Sequence, residues 1–408
     1  MASAAEYLED RLMLSSATPD MSRIIDTAET ASPDDYAMGE MLVRFNPGFT
    51  DAEKSIAVDN LGGSILRHFD SIDLAHVKLD EPAETIAGDM QRFTADPIVA
   101  YAEPNYRVVP LSTPNDPGFT ALWGLNNTGQ TFGTADADID AVEAWSDFTG
   151  TDKAVVTVID SGIYDTHPDL ADNMWINPGE IAGNGIDDDN NGRIDDVHGY
   201  DFSDNDSDIF DDAWSGHGSH VAGTIGATGN NSAGLVGVNW DVSLMGAKIA
   251  PNAFDSVIID ATNYVTTMRQ NFDINITAIN ASYGSFFFSQ STKDSIAAVN
   301  AAGVVFVAAA GNGCDPISNC DWIGDDNDVL PAYPASYDLD GIISVANTDH
   351  NDNRATSSNF GLVSVDLGAP GSSILSTVPT WVDGSGYGYK SGTSMAAPQV
   401  TGAVALLR

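Results

Sequence analysis

Residues 154–162 read Ala154-Val155-Val156-Thr157-Val158-Ile159-Asp160-Ser161-Gly162. The run Ala154–Ile159 is apolar or β-branched throughout, which describes a strand buried on both faces, as in a parallel sheet. It ends on a carboxylate and a turn. A carboxylate there sits at the carboxyl edge of the sheet, where open α/β folds bind their ligands. On its own, an Asp in D-S-G reads equally well as the cap of the next turn.

Working outward, the chain alternates apolar strands with helical patterns. Helices are expected over His217–Thr228, Ser256–Met268 and Ser291–Ala302. Strands are expected over Val242–Ile249, Ile276–Ser282, Val304–Ala309 and Ile342–Ala346. That alternation predicts a mostly parallel sheet covered by helices on both faces. Upstream, residues 38–110 read as a separate α+β unit. Glu40–Phe45 is a strand, and Asp51–Leu61 a helix with Thr50 as N-cap and Gly62-Gly63 as its end. Ser64–Phe69 and Leu74–Leu79 alternate like paired strands, Pro82–Phe93 is a second helix, and Ile98–Val108 a last strand. The order β-α-β-β-α-β is the ferredoxin-like pattern. Pro114, Asp116, Pro117 and Gly118 mark a linker between the two units. Residues 1–37 lack periodicity and are expected to hold little fixed structure. The start carries no basic region and no long apolar run, so it does not read as a standard signal peptide. Leu8–Ser15 (L-E-D-R-L-M-L-S) resembles a short L-E-P-R-x-L-L-S segment near the start of some large secreted bacterial proteins.

Composition limits the function. Of 59 acidic residues 49 are Asp, and the net charge is −43. Nucleic acid and anionic membranes require a basic face, so neither is expected as a partner. No run approaches the length of a membrane-spanning helix. Cys314 and Cys320 lie in a Gly/Asp/Asn-rich stretch. Two thiols alone do not make a zinc site, so one local disulfide in an oxidising compartment is the expectation.

Three further segments place reactive side chains at strand ends or helix starts. Gly216-His217-Gly218-Ser219-His220 sets an imidazole between two glycines. A neutral imidazole with a pKa near ~6.5 can take a hydroxyl proton. Ser391-Gly392-Thr393-Ser394-Met395-Ala396-Ala397-Pro398 sets a serine at a helix start, with Pro398 expected in the opening turn. Oriented N–H groups there stabilise a developing oxyanion. Val305–Ala310 leads into Gly311-Asn312-Gly313, and a side-chain amide at a sheet edge can donate to the same oxyanion. Singly, each also has a plain structural reading: a turn cap, a solvated histidine, an N-cap.

Together, in the order Asp160, His217, Asn312, Ser394, these segments resemble the subtilisin-like serine proteases (peptidase S8, subtilases). The resemblance covers about residues 112–408, with 38–111 resembling their inhibitory propeptide. It implies a subtilisin-like three-layer α/β fold preceded by a ferredoxin-like propeptide. It also implies a secreted serine endopeptidase made as a zymogen. By this resemblance Ser394 is the nucleophile, His217 the general base and acid, and Asp160 the residue that orients the imidazole. Asn312 and the Ser394 N–H would hold the oxyanion. Ser282-Tyr283-Gly284 would pair with an extended polypeptide substrate, Ala309, Ala310 and Gly311 would wall the primary pocket, and Ala332 would form its base. Alanine at that base implies medium or large apolar side chains at the cleavage site. A monomer acting outside the cell or at its surface is expected, with its own propeptide as intramolecular inhibitor. Cleavage between them is expected within Val109–Pro114.

The run Asp187-Asp188-Asp189-Asn190-Asn191-Gly192-Arg193-Ile194-Asp195-Asp196 has oxygen side chains at positions 1, 3 and 5 and glycine at 6, the spacing of an EF-hand loop. Asp187, Asp189, Asn191 and the Arg193 carbonyl would surround Ca2+. Position 12 is His198 rather than Glu, so Asp195 or Asp196 would have to supply the missing carboxylate. The alternative is an acidic solvated turn. The resemblance implies a second structural calcium site at Asp169 and Asn231.

The chain stops 14 residues after Ser394, so it is expected to be a fragment or a truncated product. A non-catalytic, calcium-dependent binding module on a protease fold is the rival reading, disfavoured by the complete set of reactive residues. An α/β-hydrolase is excluded, because no G-x-S-x-G surrounds Ser394 and the histidine precedes the serine.

Overall fold

The computed structural model describes residues 24–25, 27–28, 31, 36–83, 85–107, 113–213, 215–313 and 322–408. The chain divides into two compact units, Met1–Pro110 and Leu111–Arg408.

The first unit contains β1 (Tyr36–Phe45), α1 (Asp51–Asn60), β2 (Gly63–Phe69), β3 (Leu74–Leu79), α2 (Ile86–Thr94) and β4 (Val99–Tyr106). Its four strands are antiparallel in the order β2-β3-β1-β4, the order of a ferredoxin-like sheet. Thr50 and Glu53 close a reciprocal capping box at the start of α1, and Gly62 takes φ +76° just beyond its end. Met41, Val43, Phe45, Val58, Val77 and Phe93 form the core. Ala28 is buried in that core and Ile24 packs against it. The fixed structure thus begins earlier than the polar composition of residues 1–37 suggests, because two apolar side chains find a core to join.

The second unit contains α3 (Ala141–Trp145), β5 (Gly150–Asp160), β6 (Gly199–Asp201), α4 (His217–Gly226), β7 (Asp241–Lys248), α5 (Asp255–Asn271) and β8 (Ile276–Ala281). These are followed by α6 (Gln290–Ala301), β9 (Val305–Ala309), β10 (Ile342–Thr348), β11 (Leu367–Pro370), β12 (Ile374–Thr377), β13 (Tyr387–Lys390) and α7 (Thr393–Leu406). Seven strands pair in the order β11-β10-β9-β8-β5-β7-β6, every pair parallel. β12 and β13 form a separate antiparallel hairpin.

Strand parity decides what reaches the site. In β5, Val155 and Ile159 belong to the core layer that includes Ile258, Val265 and Ile296 of α5 and α6. Val156 and Val158 belong to the opposite layer with Val221, Ala222 and Ile225 of α4. Alternation places Asp160 on the same face as Val156 and Val158, toward α4. In β8 the same alternation points Asn280 at α7, where its Oδ1 accepts from Thr401 Oγ1 at 2.8 Å.

Candidate active site

Asp160 ends the interior strand β5, and His217 opens α4. Their side chains meet: His217 Nδ1 donates to Asp160 Oδ1 at 2.7 Å. The carboxylate is buried at 1% exposure and also accepts the Ser161 N–H at 2.7 Å. Its Oδ2 is buried with no hydrogen-bond partner among the described residues. Burial pulls the His217 pKa down, but the charge and hydrogen bond of Asp160 outweigh it, and the imidazole is held above its usual range. The close approach needs glycine. A Cβ on Gly218 would lie 2.1 Å from the Gly162 carbonyl oxygen and 3.1 Å from Asp160 Cβ.

Ser394 lies in the first turn of α7, where N–H groups have no intrahelical acceptor. Its hydroxyl donates to the Ser282 carbonyl at 3.2 Å, and the Ser282 hydroxyl donates back to the Ser394 carbonyl at 2.9 Å. No hydrogen bond joins Ser394 and His217 among the described residues. Such bonds commonly tighten only when substrate is bound. Pro398 sits in the second turn of α7, not the first. It has no N–H for the carbonyl four residues earlier, which is that of Ser394. The Ser282 hydroxyl fills that acceptor, and this is why the proline is tolerated there.

Asn312 follows β9. Its Oδ1 accepts the Thr393 N–H at 2.9 Å, and Nδ2, beside Gly392, makes no hydrogen bond among the described residues. Gly392 adopts φ +145°, and a Cβ there would lie 3.2 Å from Asn312 Oδ1.

Ala309, Ala310 and Gly311 run along one side. The Gly311 N–H donates to Thr393 Oγ1 at 3.2 Å, and the Ala310 carbonyl accepts from Asn327 Nδ2 at 2.9 Å. Ala332 faces them, its Cβ 3.7 Å from where a side chain on Gly311 would begin. Ser282-Tyr283-Gly284 runs along the other side and continues into Ser285, which pairs with Tyr333 through two 2.7 Å backbone bonds. A cleft of about 400 Å3 lies beside this segment, with Phe254, Ile258, Tyr283, Phe287, Tyr333 and Tyr337 in its walls. Cys314 and Cys320 lie outside the described residues.

The acidic loop closes on itself. Carboxylate oxygens of Asp187, Asp189 and Glu180 lie within 4.8 Å of one another. Glu180 accepts the N–H groups of Asp188 and Asp189 on Oε1 and of Asp195 on Oε2. Asn191 directs Nδ2 at Asp189 and Asp196, and its Oδ1 accepts the Arg193 N–H. Asp195 binds the N–H groups of Asn184 and Gly185. Asp196 is fully buried and accepts from Asn177, Asn191 and the Tyr264 hydroxyl; burial pushes its carboxyl up to about 6. The Arg193 guanidinium turns away to Asp260 and Asn205 and lies over the Tyr200 and Phe202 rings. The third carboxylate facing Asp187 and Asp189 is therefore Glu180, with Asp195 and Asp196 engaged elsewhere.

Asp169 is buried and accepts from Leu235 N–H at 2.7 Å, Tyr387 Oη at 2.9 Å and Asn231 Nδ2 at 3.4 Å. Asp116 accepts the Asn230 and Asn231 N–H groups at the same place, and burial raises its pKa.

Two family models match the chain: the peptidase S8 "Subtilase family" model over residues 151–408, and the "Fervidolysin N-terminal prodomain" model over residues 22–105. The chain belongs to the subtilase family. It is a serine endopeptidase carrying a prodomain. It is 33% identical to thermitase of Thermoactinomyces vulgaris over 72% of this chain and 85% of that protein. With the thermophilic serine proteinase of Bacillus sp. (strain AK1) it shares 29% identity over 91% of this chain and 78% of that one. A solved structure of proteases from Pseudoalteromonas arctica matches with a TM-score of 0.53 and 28% identity, covering 72% of this chain and 87% of that one. No helix among the described residues is long and apolar enough to cross a membrane.

Sequence reading of this subtilase missed three contributors. Glu180 lies seven residues before Asp187, outside the EF-hand spacing, and reaches the loop by accepting its N–H groups. Asp116 stands out in the sequence only as part of a linker. Asp211 is fully buried between the D-S-G and H-G-S-H segments, and one carboxylate among the five of the Asp-rich run Asp204–Asp212 gives no sign of that burial by itself.

Proposed function

We propose that this subtilase cleaves polypeptides through Asp160, His217 and Ser394. The observation that carries the reading is the 2.7 Å contact between His217 Nδ1 and the buried Asp160 carboxylate. With Nδ1 committed to Asp160, Nε2 is free to accept the Ser394 proton as Oγ attacks the scissile carbonyl. The new C–O bond places negative charge on the carbonyl oxygen, for which Asn312 Nδ2 and the Ser394 N–H are the donors. Return of the proton from Nε2 to the amine nitrogen accompanies breakage of the C–N bond. Water then repeats the sequence on the acyl-enzyme.

Ser282-Tyr283-Gly284 and Ala309-Ala310-Gly311 are proposed to flank an extended substrate, with Ala332 at the base of the primary pocket. The aromatic cleft beside Tyr283 and Phe287 favours a further apolar side chain on the substrate. Residues 38–111 act as propeptide and intramolecular inhibitor, and residues 112–408 as the catalytic domain. The three convergent carboxylates of Glu180, Asp187 and Asp189 suit a hard cation, since Ca2+ takes oxygen ligands at ~2.3–2.6 Å. Asp169, Asn231 and Asp116 offer a second set. Bound Ca2+ would neutralise charge and brace loops, away from the chemistry. A site of action outside the cell agrees with 32% identity to a protein named "Extracellular protease" of Xanthomonas campestris, and a monomer is proposed.

The test is fluorophosphonate labelling with peptide mapping. The adduct should fall on Ser394 and vanish in Ser394→Ala. A folded, propeptide-free protein that takes no label would end the proposal.

A further inference from the structure

We infer that Asp211 is a positioning residue for proteolysis, holding the strand end that carries Asp160 and the helix turn that carries His217 in one register. The inference rests on the triad reading above.

Asp211 is fully buried, as are Ser161 and Ser219. Its Oδ1 accepts the Ser161 hydroxyl at 2.9 Å. Its Oδ2 accepts the Ser219 N–H at 2.9 Å and the Ser219 hydroxyl at 2.7 Å. Ser161 directly follows Asp160, and Ser219 lies two residues after His217. Two more bonds close the ring: the Gly218 N–H donates to Ser161 Oγ and the Tyr164 N–H to Ser219 Oγ, each at 2.9 Å. Each hydroxyl thus receives one proton and passes one on, and three donors converge on position 211. Two acceptor oxygens with no donor, as in an ionised carboxylate, satisfy all three.

The loop that presents Asp211 is itself fastened. The Ile163 N–H donates to the Ile209 carbonyl at 2.8 Å, and Asp212 lies 3.3 Å from Lys248 Nζ, next to Asp160's neighbour strand β7. A Cβ on Gly162 would lie 2.6 Å from the Ile209 oxygen, so the loop and the D-S-G turn are in contact with no slack.

This arrangement costs the fold something. Burial, assisted by the charge of Asp160, pushes the Asp211 carboxyl up to about 6. A carboxyl raised in the folded state contributes stability that is present below its unfolded value and lost as pH rises through about 6. The other charged groups facing it are His217 on α4 and Lys390 on β13. At the neutral to alkaline pH where His217 is an unprotonated base, the ionised Asp211 is therefore a burden on stability, offset by the geometry it enforces.

That split between stability and activity is the test. Asp211→Asn keeps the shape, still accepts from Ser219, and removes the buried charge. In the full chain, after propeptide removal and active-site titration, kcat should fall by up to about a hundredfold, the loss expected from a ~1 Å misplacement of reacting groups. KM should stay within about twofold, since substrate contacts are untouched. The unfolding midpoint at pH 8 should hold or rise. Unchanged kcat, a change confined to KM, or a kcat loss that simply tracks a lowered midpoint overturns the inference. Where Asp211→Asn does not accumulate as mature protein, Ser161→Ala and Ser219→Ala each remove one arm. Both should lower kcat at constant KM, and unchanged kcat in both overturns the inference equally. Ser394→Ala runs alongside. If it retains activity the triad reading itself has failed; if it is inactive and the Asp211 variant is normal, only the role of Asp211 has failed.

Discussion

Ser282 and Ser394 exchange hydrogen bonds, each hydroxyl donating to the other residue's carbonyl, at 2.9 and 3.2 Å. The pair ties the end of β8 to the start of α7. It extends inward through Asn280, whose Nδ2 donates to Ser282 Oγ at 2.9 Å and whose Oδ1 accepts from Thr401. Ser394 is thus anchored by a chain of side chains rather than by helix geometry alone.

Ser282→Ala should show this anchoring. It strips the donor from the Ser394 carbonyl, which Pro398 cannot replace, and the acceptor from Asn280 Nδ2. Leaving buried polar groups unpaired costs about 1–3 kcal/mol. Denaturant unfolding should report that loss, and kcat should fall because Ser394 is less firmly placed. Stability equal to the parent would show that water or a neighbour fills the site at no cost.

Asn312 is oriented by the Thr393 N–H, which occupies Oδ1 and leaves Nδ2 as the donor proposed for the oxyanion. Asn312→Leu removes the donor and keeps the bulk. The expected fall in kcat is about 10²–10³, the range known for the corresponding donor in subtilisin itself and carried over here. KM should change little, because the interaction forms only as charge develops. A loss shared by KM and kcat would place Asn312 in ground-state binding instead.

Much of this site is legible in the sequence because each reactive residue ends or begins an element with a strong pattern. The run before Asp160 can only be a buried strand, and its parity sends Asp160 toward α4. The small-residue helix after Ser394 is equally plain. What escapes is short or distant. β6 and β11 have three and four residues and carry no period of their own. Pro398 reads as a first-turn proline until the Ser282 hydroxyl is seen on the carbonyl it frees. Glu180 and Asp211 act through loop N–H groups and hydroxyls brought close only by the tertiary fold.

The pH dependence follows from His217. Asp160 holds its pKa above the ordinary value of about 6.5. The base must be neutral, so kcat/KM should fall as pH drops through that raised pKa. Stability runs the other way. The protonated imidazole is favoured in the fold, so its contribution is present below about 6.5 and lost as pH rises through the folded pKa. Asp160→Asn removes the anion and leaves burial dominant. The imidazole pKa should then drop, seen by NMR titration of the ring, while kcat falls by about 10⁴. An unmoved ring pKa would mean that Asp160 is not what raises it.

Calcium should stabilise this subtilase without entering its chemistry. A ligand that binds only the folded state at a hundred times its Kd contributes about 2.7 kcal/mol. Chelation should therefore lower the unfolding midpoint, and restored calcium should recover it. Glu180→Gln tests the loop site. The variant also loses an acceptor for the Asp195 N–H, because Gln presents an NH₂ where Glu presents Oε2. That cost is the same with and without calcium. The informative quantity is the difference between the two midpoints, which should shrink in Glu180→Gln and in Asp187→Asn. The difference that persists belongs to the Asp169 region, since Asp169, Asn231 and Asp116 are untouched by either change. Fluorophosphonate labelling of Ser394 well below the midpoint should be the same in both variants, because neither residue touches Asp160, His217 or Ser394. A midpoint insensitive to calcium in the parent protein would show that these carboxylates serve the fold through their N–H bonds alone.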